Sequence, residues 1–211
     1  VQLSVGPIED RDIHDLRVED LLDLVADEVI AGVIKAAENY KPGDPFDPAT
    51  KMGPLASTSR RAEVQAHVDR GLADGSTLAL GGHSVELSSP LAGGAYYEPT
   101  VFINVNPDSA LAQEEIFGPV LSVTTVSSDE EAIRVANNSD YGLAAGLWTA
   151  NVSKVHRLAR QIRAGTVWVN CYEEGDLTVP FGGFKMSGNG RDKSRHALEK
   201  YTELKTTYIK L

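Results

Sequence analysis

Hydrophobic and polar positions along this chain follow two periods. Val18, Leu21, Leu22, Val25, Val29, Val33 and Ala37 recur every third or fourth residue, which predicts an amphipathic helix over 18–39. Residues 58–73 repeat that period with Val64, Val68 and Leu72 on one face and Gly75 as the stop. Between them lies KPGDPFDPATKMGP, whose four prolines and two glycines in fourteen residues predict a loop. The paired glycines 81–82 and 93–94 bracket a short strand and loop. Further on the β-rich runs begin: TVFINV (100–105) and VLSVTTV (120–126). Ser127 and Ser128, followed by Glu130 and Glu131, offer two capping-box pairings, so a helix is expected to start there and reach about Ala136. Residues 137–142 form a turn. LAAGLWT (143–149) is a third strand. Asn151 caps a helix carrying Val152, Val155, Leu158, Ala159 and Ile162 inward, with Gly165 as its stop, and TVWVN (166–170) is a fourth strand.

Strand, helix, strand, helix, strand with short links predicts an α/β fold: a mostly parallel, doubly wound sheet with helices on both faces. Ligands in such sheets sit beyond the carboxyl ends of strands, here Val126, Thr149 and Asn170 and the loops after them. Residues 171–191 read as a long loop and 192–200 as a short helix. The end, TELKTTYIKL, alternates like a half-exposed strand, which must pair within its own chain or with another subunit.

Composition narrows the classes. With 211 residues, 42% hydrophobic and 24% charged, the chain can build one substantial core. The formal charge is −10, and residues 1–30 hold nine acids against two bases, so the remainder carries only −3. No basic footprint for nucleic acid exists. No apolar run approaches the ~18 residues of a membrane span, and the first residues lack a secretory pattern. A single cysteine, Cys171, excludes an intrachain disulfide and a multi-cysteine zinc site, so a cytoplasmic setting is expected. The start without Met suggests truncation or processing.

Local motifs were weighed as chemistry. Gly188-Asn189-Gly190-Arg191-Asp192-Lys193 ends in Lys where the dinucleotide fingerprint needs Gly or Ala, and Gly183-x4-Gly188 is followed by Asn189 rather than Lys, so neither phosphate loop holds. Cys171 has Tyr172, Glu173 and Glu174 beside it, no base, and acids that raise a thiol pKa; it reads as a packing residue at a strand end. The five histidines never pair at metal spacing, so no metal site is expected. Glu114-Glu115-Ile116-Phe117-Gly118-Pro119 leaves two readings open: a solvated acidic pair, or a carboxylate on a turn that accepts hydrogen bonds from sugar hydroxyls.

EEIFGPV (114–120), YGLAAGLWT (141–149), AGTVWVN (164–170) and PFGGFKMSGNGR (180–191), with GDPFDPATKMGPL (43–55) before them, resemble the C-terminal part of the NAD(P)-dependent aldehyde dehydrogenase superfamily in order and spacing over about residues 25–211. SGNGRDKS and ALEKYTELKT look most similar to members acting on gamma-glutamyl-gamma-aminobutyraldehyde and related aminoaldehydes. The resemblance implies that Glu115 binds the nicotinamide ribose hydroxyls of NAD or NADP and that Phe117 lies against the nicotinamide side. It implies that Phe181 lines the aldehyde tunnel and that Glu173, Glu174 and Asp176 shape its mouth. Three acids there would favour a cationic aldehyde through their local potential, although a solvated loop is an equal reading. YTELKTTYIKL resembles the strand that such enzymes add to a neighbouring subunit's sheet, which implies a homo-oligomer or pairing with a full-length relative.

The chain also departs from the family pattern. The family's nucleophilic cysteine precedes GDPFDP, where this sequence reads VQLSVGPIEDRDIHDLRVEDLLDL without one; its general-base glutamate and Rossmann-type cofactor domain lie further upstream and have no counterpart here. Aldehyde oxidation in this family runs through thiolate attack, hydride transfer to NAD(P)+ and base-assisted hydrolysis. The expectation is therefore three segments: a divergent acidic leader (1–24) that looks foreign or out of frame, a partial catalytic domain (25–200) and an oligomerisation strand (201–211). The chain alone is expected to be inactive and to hold the dinucleotide at most weakly. Two other readings stay open, a non-catalytic or inhibitory assembly module and one half of a split enzyme.

Overall fold

The computed structural model describes residues 2–5 and 18–211, with side chains from residue 26 onward. Most of the expected acidic leader, and the side chains of the first half of the 18–39 helix, lie outside the described residues. The chain divides into two compact units, Val1–Asn138 and Ser139–Leu211.

The first unit is built on a four-stranded sheet. Its strands are β1 (Gln2–Val5), β2 (Thr77–Leu80), β3 (Thr100–Ile103) and β4 (Val120–Thr125), in the order β1-β4-β3-β2. β1 and β3 both run parallel to β4, with Val101 opposite Leu121 and Leu3 opposite Val123. β2 is antiparallel to β3. The chain between them turns back on itself, pairing Val85 N–H with Tyr96 O (3.1 Å) and Glu98 N–H with His83 O (3.1 Å), and that return reverses the strand direction. Helices α1 (Val18–Ala37) and α2 (Thr58–Ala73) form where the two periods predict them. In α2 Val64 and Val68 are buried as expected, but Leu72 is 47% exposed and Gly71 takes the buried position against Leu111. Ser57 caps α2 by accepting from Arg60 N–H, and Gly75, at φ +87°, lets the chain leave it.

The core joins α2, β3 and the segment after it: Val64, Val68, Tyr97, Phe102, Val105, Leu111 and Ile116, all buried. Phe102 is fully inaccessible because β3 is covered on both faces, so three of its four residues are buried in succession. Polar groups that enter this core are paired. Thr124 Oγ1 donates to Val105 O (2.9 Å), Ser122 Oγ to Leu111 O (3.1 Å), and Thr100 Oγ1 accepts from Gly82 N–H (2.9 Å). Tyr97 donates to Gln65 Oε1 (3.0 Å), and burial pushes its phenol up to about 12. The short helix α3 (Ala110–Gln113), which the hydrophobic pattern does not announce, seats Leu111 against α2. At Gly71 of α2 an added Cβ would stand 2.2 Å from Leu111 Cδ1.

After β4 comes α4 (Asp129–Asn137), capped reciprocally. Ser128 Oγ accepts from Glu131 N–H (3.1 Å), while Glu131 Oε2 accepts from the amide (2.9 Å) and hydroxyl (2.8 Å) of Ser127. The Ser127 amide, then its hydroxyl, hold the Glu131 carboxyl below the usual carboxylate range.

In the second unit, β6 (Ala144–Leu147), α5 (Val152–Ala159) and β7 (Thr166–Val169) form the expected strand–helix–strand, with Ala144 parallel to Thr166 and Leu147 to Val169. β5 (Tyr141–Gly142) pairs antiparallel with β8 (Phe184–Lys185). The 120–126 run lies in the four-stranded sheet of the first unit and the 143–149 run in the β6–β7 ladder of the second, with β5 pairing to β8 before β6 begins. Helix α5 ends at Ala159, earlier than Gly165 suggests. The 192–200 segment is a 3-10 helix, Arg195–Tyr201. Residues 202–211 form no ladder among the described residues and are exposed.

Backbones approach closely here: a Cβ on Gly165 would meet Gly182 O at 1.6 Å, with no flexible side chain to yield. Gly165→Ala should therefore destabilise the second unit by roughly 3 kcal/mol or more, whereas Gly175→Ala, which meets only Lys193 Nζ at 3.6 Å, should leave it unchanged, as read by urea denaturation. Ser128→Ala should cost about 1 kcal/mol through loss of the α4 cap, read as a lower thermal midpoint.

Candidate functional site

In the first unit the candidate residues sit between α3 and β4. Glu114 ends α3, its N–H bonded to Ala110 O (2.9 Å). Its carboxylate is gripped by Arg70 of α2: Nη1 to Oε1 at 3.2 Å and Nη2 to Oε2 at 2.8 Å. His67 stands one turn earlier, its Nδ1 2.8 Å from Arg70 Nη2 and 3.8 Å from Glu114 Oε2. The Arg70 hydrogen bonds hold the Glu114 carboxyl below its ordinary range, and burial followed by the Arg70 charge pushes His67 down. The acid pair is therefore divided. Glu114 is spent on α2, while Glu115 is exposed and takes no hydrogen bond or ion pair from the described residues.

Phe117 completes this edge. It is 65% exposed and held at φ +53°, a left-handed conformation that costs a bulky residue about 1–3 kcal/mol. The Arg60 guanidinium lies 5.5 Å from its ring centre. Gly118 follows because a Cβ there would stand 2.5 Å from Val64 Cγ2, and Pro119 O accepts Thr100 N–H (2.8 Å), starting β4 beside β3. Leu111, Glu114, Glu115, Phe117, Gly118 and Ser122 line an open concavity of about 230 Å³. A free carboxylate beside an exposed aromatic face fits a ribose with its attached planar ring: the carboxylate accepts from hydroxyls and the ring lies against a flat heterocycle. The residues present thus offer an acceptor and an aromatic face of the kind that a ribose bearing a planar ring requires.

In the second unit the other candidates follow β7, as expected for a loop beyond a strand's carboxyl end. Asn170, at φ +55°, clamps the ends of β6 and β7: its Oδ1 accepts Thr149 N–H (2.9 Å) and its Nδ2 donates to Thr149 O (3.0 Å). Glu173, Glu174 and Asp176 are exposed, Glu173 at φ +60°. Trp168 Nε1–H donates to Glu174 O, and the Trp168 and Tyr172 rings pack 4.9 Å apart at 55°, which stiffens the loop's base. Asp176 accepts from Thr178 N–H (2.6 Å), and the Thr178 hydrogen bonds lower its carboxyl. Phe181 is half-buried, tied to Asp192 by paired backbone bonds (2.9 and 2.6 Å), with Lys193 Nζ 5.7 Å from its ring. Cys171 is partly buried at the start of this loop.

Glu115 and Phe117 line one concavity in the first unit, while Glu173, Glu174 and Asp176 lie exposed on the loop after β7 and Phe181 stands further along the second unit, beside Asp192 and Lys193. The contacts of Arg60 with Phe117 and of His67 and Arg70 with Glu114 each span more than forty residues and have no local signature in the sequence. Among the described residues, no cluster of three His, Cys, Asp or Glu side chains could hold a metal, and no helix is long and apolar enough to cross a membrane.

Known proteins resemble this chain in sequence and in fold. The aldehyde dehydrogenase family model matches residues 21–207. The chain is 48% identical over 187 residues to the NADP/NAD-dependent aldehyde dehydrogenase PuuC of Escherichia coli and 43% to the betaine aldehyde dehydrogenase of Brucella melitensis, covering 89% of itself in each case. It spans 36% and 38% of their lengths, little more than a third. Among solved structures, the indole-3-acetaldehyde dehydrogenase AldA of P. syringae, in complex with NAD+, superposes with a TM-score of 0.82 at 54% identity, over 89% of this chain and 37% of that one. The aldehyde dehydrogenase KauB of Pseudomonas aeruginosa gives 0.82 at 50% identity with the same coverage. With the motifs in order, the fold matched and nearly nine-tenths of the sequence aligned, this chain belongs to the aldehyde dehydrogenase family.

Proposed function

We propose that this chain supplies the nicotinamide-side and substrate-entry walls of a site that oxidises an aldehyde to a carboxylic acid with NAD or NADP. The observation that carries the reading is the division of labour at 114–117: Glu114 is engaged by Arg70, while Glu115 and Phe117 remain open beside one concavity. When bound, the nicotinamide supplies a hydride acceptor. Glu115 accepts the ribose hydroxyls, Phe117 backs the ring, and Arg60 holds the Phe117 face from behind. In the second unit Phe181 lines the approach of the aldehyde, with Glu173, Glu174 and Asp176 at its mouth.

Those three exposed acids favour an aldehyde carrying a positive charge, an aminoaldehyde such as gamma-glutamyl-gamma-aminobutyraldehyde or its relatives being the proposed class. Their advantage is electrostatic, works through solvent and is screened by salt. In an active assembly containing this chain, Glu173→Gln with Glu174→Gln should raise KM about fivefold for a cationic aldehyde and leave a neutral one unchanged. An equal change for both would remove the charge argument.

Covalent catalysis needs a thiolate and a base, and these 211 residues offer only Cys171, with Glu173 and Glu174 as its ionisable neighbours. The polypeptide of these residues should give no NADH absorbance above background with NAD+ and an aminoaldehyde. Turnover by the isolated chain would refute this.

A second reading is favoured by the 202–211 segment, where Leu204, Tyr208, Ile209 and Leu211 are exposed with no ladder among the described residues. That unpaired alternating strand suits edge addition to a second copy or to a longer relative, as an assembly module or as half of a split enzyme. Co-elution with such a relative supports pairing, and activity that arises only on mixing separates the split enzyme from an inhibitory subunit.

A further inference from the structure

Helix α2 touches the 114–118 segment at both ends. At one end Arg70 holds both oxygens of Glu114 (3.2 and 2.8 Å), and its Nη2 lies 2.8 Å from His67 Nδ1. At the other, Arg60 lies over Phe117 and Val64 packs against the bare Cα of Gly118. Glu115 and Phe117 stand between these two grips. Phe117 occupies a backbone conformation that a phenylalanine adopts only under constraint. Ile116 anchors the segment in the core by non-directional packing, Gly118 meets Val64 with no side chain of its own, and a cation over an exposed ring fixes no backbone angle. The two-point Arg70–Glu114 pair is the directional contact able to set the angle at which the chain enters Glu115.

We propose that Arg70 is a positioning residue for the cofactor-facing edge. It acts through Glu114 to hold residues 115–117 in the orientation that a nicotinamide ribose meets. This rests on the reading of Glu115 and Phe117 given above. The consequence for binding is preorganisation: an edge already ordered loses less freedom when the ligand arrives. Arg70 touches no ligand itself. A lysine in its place keeps the charge but offers one point instead of two.

The test reads loop order in the ligand-free 211-residue chain, so it stands apart from whether Glu115 contacts a ribose. Backbone amide order parameters are measured for wild type, Arg70→Gln, Glu114→Gln, the double variant and Arg70→Lys. Residues 115–117 should fall from about 0.85 to below about 0.6 in each Gln variant. The double variant should fall no further, because both changes remove the same contact. Arg70→Lys should lie between, and residues 64–68 of α2 should not change. Unaltered order at 115–117 in both single variants would overturn the proposal. So would a further loss in the double variant, or a loss spread along α2, which marks a merely structural role. If Arg70→Gln does not fold, Glu114→Gln and Arg70→Lys carry the same comparison, since neither removes a buried group.

Discussion

The packing of α2 against residues 111–118 is the constraint on which the first unit depends. Two glycines make it possible. A side chain at Gly71 would strike Leu111, and one at Gly118 would strike Val64, so the helix and the segment can meet only at near-backbone distance. That approach buries Leu111 and Ile116 with Val64, Val68 and Phe102, and it brings Arg70 within reach of Glu114. The same contact therefore builds the core and aims the candidate site. Core burial supplies the free energy, and the ion pair, half exposed at Glu114, supplies direction more than stability.

The second unit solves a similar problem with backbone instead of side chains. Gly165 against Gly182 and Gly182 against Gly190 let the 182–191 loop fold onto the start of β7. Arg191 threads this loop, donating to Gly183 O (2.9 Å) and Gly190 O (2.8 Å), while its guanidinium and that of Arg163 each lie 5.3 Å from the Phe184 ring centre. The glycine string that resembles a phosphate loop in the sequence is thus occupied with itself. Its amides and carbonyls serve loop closure and the short β5–β8 ladder.

Much of this was legible in the sequence, for identifiable reasons. α1, α2, α4 and α5 announce themselves through period and caps, and β3, β4, β6 and β7 through β-rich runs, because those signals are local. The 114–120, 141–149 and 180–191 motifs pointed to the family before any fold was known. What was not legible depends on distance along the chain. β5 and β8 have two residues each, too few for a pattern. α3 has four, and its partner Gly71 lies about forty positions away. The separate fates of Glu114 and Glu115 cannot be read from two adjacent identical letters; only Arg70 distinguishes them, across forty-four residues.

Titration of the 15N-labelled chain with millimolar NAD+ and, separately, with AMP reads whether residues 114–118 meet the nicotinamide half of a dinucleotide, as proposed. NAD+ should shift the amides of Glu115, Phe117 and Gly118, and AMP should leave them in place. Shifts confined to other residues, or equal shifts from AMP, would overturn the proposal.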